Sequence, residues 1–208
     1  MSSQIRLMVL LASLVPLIAG GCSILPTSGG GKPMQTFTLN TDLTQIGRAA
    51  QATGKVLRVS APNAHAGYEN RSMAYSRRSH ELSYYAFNEW VDTPSRLLRS
   101  ELARALERSG AFTVIAGTKG VYADLRLDTE IVALYQDYRT SPAHAWIVLR
   151  VQLIDLRAQK VLATRQFEHS EVMADETPYD GVEAINSGLS TILPELVEFS
   201  IRTGADAH

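Results

Sequence analysis

The stretch from residue 124 to residue 173 constrains the fold more than any other, because three strand-like segments follow one another there with short breaks. In Asp124 to Tyr135 the odd positions Leu125, Leu127, Ile131, Ala133 and Tyr135 are mostly apolar, while the even positions begin Asp124, Arg126, Asp128, Glu130. Successive strand residues point to opposite faces, so the first half of this segment has one wet face. Trp146 to Leu156 is apolar on both faces, with Ile147, Leu149, Val151 and Leu153 on one and Trp146, Val148 and Ile154 on the other. That pattern suits a central strand with cover on both sides or a partner on one. Val161 to Met173 follows across the tight Arg157-Ala158-Gln159-Lys160 turn and is expected to pair with it.

Such strands need a second layer, and two helices are signposted to supply it. Thr93 stands at an N-cap position, and Pro94 follows where its missing N–H costs nothing. Leu98, Leu102, Ala105 and Leu106 fall on one face, Arg96, Arg99, Glu101, Arg104, Glu107 and Arg108 lie mostly elsewhere, and Gly110 offers a left-handed stop. A second helix is expected from about Asp180 to Arg202, with Val182, Ile185, Leu189, Ile192, Leu193, Leu196 and Phe199 as its apolar stripe. Pro194 inside it removes one hydrogen bond, which predicts a kink or a break. Thr36 to Leu39 and Lys55 to Ser60 read as short strands, and Met73 to Tyr75 with Glu81 to Phe87 as a hairpin around Arg77-Arg78-Ser79. Strands outnumber helices and are expected to run in antiparallel succession. The fold class is therefore α+β: a two-layer α/β sandwich, its sheet largely antiparallel or mixed, with two main helices packed on it. In a chain of 208 residues that is 45% apolar, residues 35–208 are expected to form a single domain.

The first residues have a different character. Arg6 precedes an apolar run from Leu7 to Ile18, too short to span a bilayer comfortably, and small residues then lead to Cys22. Charge, apolar core and small residues before a cleavage point make residues 1–21 a secretory signal. Cys22 is the only cysteine, in Ala19-Gly20-Gly21-Cys22, which resembles the bacterial lipobox although Ala19 stands where leucine is usual. An ordinary signal peptide beside a free thiol is the other reading, and the position and uniqueness of the cysteine favour lipidation. Each buried methylene contributes about 0.8 kcal/mol, so several acyl chains on Cys22, palmitate among them, would hold the chain on a membrane. Ser23 rather than an aspartate follows, which favours the periplasmic face of the outer membrane. Residues 22–34 then form a lipidated cysteine and a flexible tether spanning about 20 Å, and at most about 40 Å.

Composition and spacing argue against chemistry. The net charge is −1, with 20 basic against 21 acidic side chains, and nothing marks a nucleic-acid surface. His169 and Glu171 are the only local pair of ligand types, while zinc takes at least three from the protein, so no metal site is expected. There is no Gly-x-Ser-x-Gly elbow, and Gly29-Gly30-Gly31 lacks what a phosphate loop needs. A triad assembled from distant residues stays open, but no catalytic residue is assigned, and no cofactor beyond the covalent lipid on Cys22.

One segment suggests contact rather than catalysis. Between Tyr68 and Trp90, aromatic residues alternate with Arg71, Arg77, Arg78 and His80, a mixture favoured at protein interfaces and also found in ordinary cores. The candidate interaction surface is Tyr68, Arg71, Tyr75, Arg77, Arg78, Tyr84 and Trp90.

The run Gly67-Tyr68, Arg71-Ser72-Met73-Ala74-Tyr75, His80-Glu81-Leu82-Ser83-Tyr84-Tyr85-Ala86, Asn88-Glu89-Trp90-Val91-Asp92-Thr93-Pro94 and Leu97-Leu98 resembles the ABC-type transport auxiliary lipoprotein family, which is PqiC-like. The likeness continues through Ser109-Gly110-Ala111-Phe112, Asp124 to Ile131, and Pro178-Tyr179-Asp180-Gly181-Val182. The resemblance implies an α/β sandwich and a non-catalytic partner of an ABC permease, its ATPase and an MCE-domain periplasmic protein. Such systems handle lipids or other apolar molecules. It implies docking at the outer membrane, and the segment from Tyr68 to Trp90 would serve docking or self-association as a homo-oligomer. An envelope-assembly scaffold with no transport role, a lipid-anchored hydrolase, and a sandwich that itself binds lipid are the alternatives.

Overall fold

The computed structural model describes residues 32–117 and 120–205, so the signal segment at 1–21, Cys22 and most of the tether lie outside the described residues. Nine strands and two helices follow in the order β1 (Gln35–Phe37), β2 (Val56–Val59), β3 (Asn63–Ala64), β4 (Ser72–Ser76), β5 (Ser83–Trp90), α1 (Pro94–Ser109), β6 (Thr113–Ala116), β7 (Leu125–Asp137), β8 (His144–Asp155), β9 (Lys160–Val172) and α2 (Pro178–Ala205), with a 3-10 turn at Ala66–Tyr68. Both helices lie on the sheet and touch each other, which makes two layers. The α+β sandwich expected from the sequence is the fold observed.

β7 is the spine of the sheet. Along one side it pairs with β8 over nearly its whole length, and β8 pairs in turn with β9, both antiparallel. Along its other side β7 meets three short strands, β2, β3 and β4, all parallel to it. β6 runs parallel to β2, β5 antiparallel to β4, and β1 parallel to β5. The sheet is thus mixed, one of the two arrangements expected from the sequence, with antiparallel succession confined to β4–β5 and β7–β8–β9. Strands close in sequence pair through turns, whereas β1 reaches β5 and β2 reaches β7 only after long connections, and long crossovers permit parallel pairing.

The alternation in β7 holds only as far as Ile131. A register irregularity between Ile131 and Ala133 shifts the strand, so that Leu134 and Gln136 turn inward while Ala133 and Tyr135 are only partly covered. One extra residue reverses which parity faces the core. In β8 all four residues of the expected inner face, Ile147, Leu149, Val151 and Leu153, are fully buried. β6 and β3 fall outside the expected elements, because strands of four and two residues are too short for a period to show.

The helices begin and end close to where caps and breakers place them. Pro94 occupies the first turn of α1, and Gly110 closes it with φ 65°, a conformation glycine adopts without a Cβ clash. Thr93 sits at the N-cap without a side-chain cap bond; its backbone carbonyl accepts from Arg96 and Leu97, and the Asp92 carboxylate accepts from its N–H at 2.7 Å. The whole expected stripe of α2 is buried in one core running from Leu39 to Phe199. Helix continues through Pro194 without a break. Burial of each such Leu or Ile contributes about 1.5–3 kcal/mol, which outweighs the bond a proline forfeits. α2 approaches β8 closely at Gly188, where a Cβ would lie 2.7 Å from Ile147 Cδ1 and 3.0 Å from the His169 ring.

Candidate interaction surface

The β4–β5 hairpin divides the seven residues singled out between Tyr68 and Trp90. Trp90 is 2% exposed and Tyr68 9% exposed, so both are core residues and cannot present a contact. Alternation along a strand sends part of any aromatic run inward. Arg71 is exposed and also locks the hairpin: its Nε donates to the Trp90 carbonyl at 2.9 Å and its guanidinium meets Glu89 at 2.5 Å. Tyr84 is 43% exposed, with its hydroxyl donating to the Gly67 carbonyl at 3.2 Å. Arg78 lies exposed in the turn, close to His80, whose φ of 66° helps bring the chain round. Cys22, the proposed lipidation residue, lies outside the described residues.

Tyr75 and Arg77 are brought together with groups that the sequence reading did not connect. The Tyr75 ring packs 4.6 Å from Tyr85 and 6.1 Å from Tyr138, centroid to centroid. The Arg77 guanidinium lies 5.0 Å from the Tyr138 ring centre and 5.6 Å from that of Tyr75, within cation–π range of both. Beneath them the Tyr85 and Tyr138 hydroxyls approach to 2.6 Å, and both bond Gln136 Oε1, at 2.7 Å and 2.9 Å. Gln136 Nε2 donates at 3.1 Å to the carbonyl of Pro178, the first residue of α2. Burial holds the Tyr85 and Tyr138 hydroxyls above the usual phenol range, and for Tyr85 the shared bond with Tyr138 adds to this. A half-buried tyrosine cluster capped by an exposed arginine thus ties the hairpin, β7 and the start of α2 together.

Gln136 and Tyr138 come from the end of β7, more than fifty residues beyond Tyr85. The one trace of them in the sequence is a glutamine set into the far end of a strand whose inward positions are mostly apolar.

Groupings of chemically active side chains are sparse among the described residues. No set of three or more His, Cys, Asp and Glu is arranged to hold a metal, and His169 with Glu171, 2.7 Å apart, is a pair only. An open depression of about 290 Å³ on the sheet face away from the helices is lined by Asn63, Asp128, Glu130, Arg150 and Gln152. Its acids are engaged, Asp128 with Ser60 and Arg126, Glu130 with His65 at 3.1 Å. Among the described residues no helix is long and apolar enough to cross a membrane.

The described residues thus form a two-layer sandwich with a cluster of tyrosine and arginine side chains at the β4–β5 hairpin. Residues 37–197 match the model of the ABC-type transport auxiliary lipoprotein component, and the chain belongs to that family. The family is one of transport auxiliary lipoproteins rather than a known family of enzymes, and as a lipoprotein the chain is membrane-anchored. Among solved structures, a Xanthomonas campestris protein is similar with 21% identity and a TM-score of 0.72, over 82% of this chain and 96% of the other. An uncharacterized protein follows at 12% identity and a TM-score of 0.62, over 82% and 98%. At such identities the likeness is one of fold. No curated protein matches.

Proposed function

We propose that this chain is an outer-membrane lipoprotein whose periplasmic domain docks an ABC transport system of the MCE type, one that moves lipids or other apolar molecules. It acts by contact, and the ATPase and permease are separate chains. The observation that carries this reading is the family match across residues 37–197, joined to a lone cysteine behind an apolar run and followed by Ser23. A lipid on Cys22 and a short tether raise the concentration of the domain at one membrane, so weak docking contacts suffice. The exposed Arg77, Arg78 and Tyr84 of the hairpin region, with the half-buried Tyr75 ring beneath Arg77, are the surface we assign to docking.

The test is a tagged pull-down from crosslinked membranes, comparing the native chain with Cys22→Ala. Recovery of an MCE-domain protein with its permease, weakened without the anchor, is the expected outcome. Recovery of envelope-assembly proteins instead would make the chain a scaffold and sink the transport reading. Reversing the charge of Arg77 and Arg78 to glutamate should abolish recovery; unchanged recovery would remove that surface from the proposal.

A further inference from the structure

The arginines around the β4–β5 hairpin differ in what they hold. Arg71 meets Glu89 at 2.5 Å, and Arg139, just beyond β7, meets Asp137 at 2.6 Å. Arg77 is exposed and has no such partner: among the described residues its guanidinium makes neither an ion pair nor a hydrogen bond. What holds it is a pair of rings, Tyr138 at 5.0 Å and Tyr75 at 5.6 Å from centre to guanidinium. Rings attract the charge but do not replace oxygen acceptors, so the N–H donors of Arg77 are left for water or for a partner.

The rings are themselves fixed. The Tyr138 N–H donates to the Ser76 carbonyl at 2.8 Å, and its hydroxyl is tied to Tyr85 and Gln136. Gln136 in turn reaches the carbonyl of Pro178. A guanidinium steadied against such a cluster loses less side-chain freedom on binding than one standing free in water. Arginine and tyrosine are also the residue types that carry most of the energy where proteins meet.

The charges nearby select the kind of anion. Glu176 and Asp180 act through space on Tyr138, Asp180 accepts from the Thr177 hydroxyl, and Glu81 accepts from Ser83 at 3.1 Å. These acids repel an extended negative surface, such as a bilayer rich in acidic lipid. A single carboxylate in hydrogen-bond contact with Arg77 gains more from that near pair than it loses to the farther acids. We infer that Arg77 is the receptor for one aspartate or glutamate side chain of the docked partner protein, with Arg78 steering the encounter from the rim. The inference rests on the assignment of this surface to docking and adds the chemistry of what it meets.

The test places Arg77→Lys in the full-length lipoprotein in its own membranes and adds a water-soluble carbodiimide, which joins an amine to a carboxylate in contact without a spacer. The variant keeps the charge and supplies the amine. Mass spectrometry should find an amide between position 77 and an aspartate or glutamate of another chain. In membranes crosslinked by other means, Arg77→Gln should lower recovery of that chain about ten-fold, and Arg78→Gln about two-fold or less. No amide from position 77, or one that reaches only Glu176 or Asp180 of the same chain, overturns the inference. Equal losses for the two glutamine variants overturn it as well. Recovery of an MCE-domain protein in either of those cases would leave the transport reading standing. An amide to an envelope-assembly protein would do the reverse, supporting the inference and sinking the transport reading.

Discussion

Glu101, on the face of α1 that meets the loop after β1, accepts the backbone N–H of Thr41 at 3.1 Å and also its hydroxyl. The carboxylate is 4% exposed and also takes Arg104, at 2.8 Å and 2.9 Å. One buried acid therefore fastens a loop to a helix sixty residues away. Replacing Glu101 with alanine leaves the Thr41 N–H without its acceptor, which should destabilise the domain by about 1–3 kcal/mol in urea unfolding. Glu101→Gln retains an acceptor and should cost less. Equal costs for the two would show that the charge of the carboxylate, which also holds Arg104, and not a neutral acceptor in its place, fastens the loop.

Gly181 decides whether the tyrosine cluster can form. A Cβ there would lie 2.0 Å from Gln136 Cδ, so Gly181→Ala must displace Gln136 and with it the bonds to Tyr85 and Tyr138. The expected cost is about 1–3 kcal/mol, with a changed tyrosine signal in near-ultraviolet circular dichroism. At Gly188 the nearest atom is the terminal methyl of Ile147, which can rotate away, so Gly188→Ala should disturb less.

Alkaline pH should weaken the fold. Burial pushes the Tyr68 hydroxyl up to about 12 from a usual value of 10.0, and Tyr85 and Tyr138 move in the same direction, burial first among the causes. The unfolded chain loses these protons first, so their stabilisation is complete below pH 10 and drains away as pH climbs through the folded values. For Tyr68 the loss amounts to about 2–3 kcal/mol by pH 12. Urea midpoints measured from pH 9 upward should fall, and Tyr68→Phe should flatten the slope. A slope unchanged in that variant would exclude Tyr68 as a source.

Neighbouring strands should respond very differently to truncation. Leu149 is fully buried in β8, and Leu149→Ala should cost about 2–5 kcal/mol through lost burial and the cavity left behind. Val161 in β9 is exposed, and Val161→Ala should stay within about 0.5 kcal/mol. Comparable losses at both sites would mean that β9 is covered in solution.

What the sequence determined by itself is what repeats locally. The buried stripe of α2, the Pro94 and Gly110 limits of α1, and the inner face of β8 are all visible as spacing, because burial selects apolar residues at the period of the element. The order of family residues likewise runs along the chain.

The tertiary structure decided which distant pieces meet. Parallel pairing of β1 with β5, inward rotation of Leu134 and Gln136 behind an irregularity in β7, and burial of Trp90 depend on partners far away in sequence. Glu101 reads as one more exposed charge on a polar helix face, and only the approach of Thr41 makes its burial affordable. The candidate surface was half legible for the same reason. Arginine and tyrosine can be read as contact chemistry, but whether a side chain faces water or a neighbour fifty residues along is set by packing, which leaves no period in the chain.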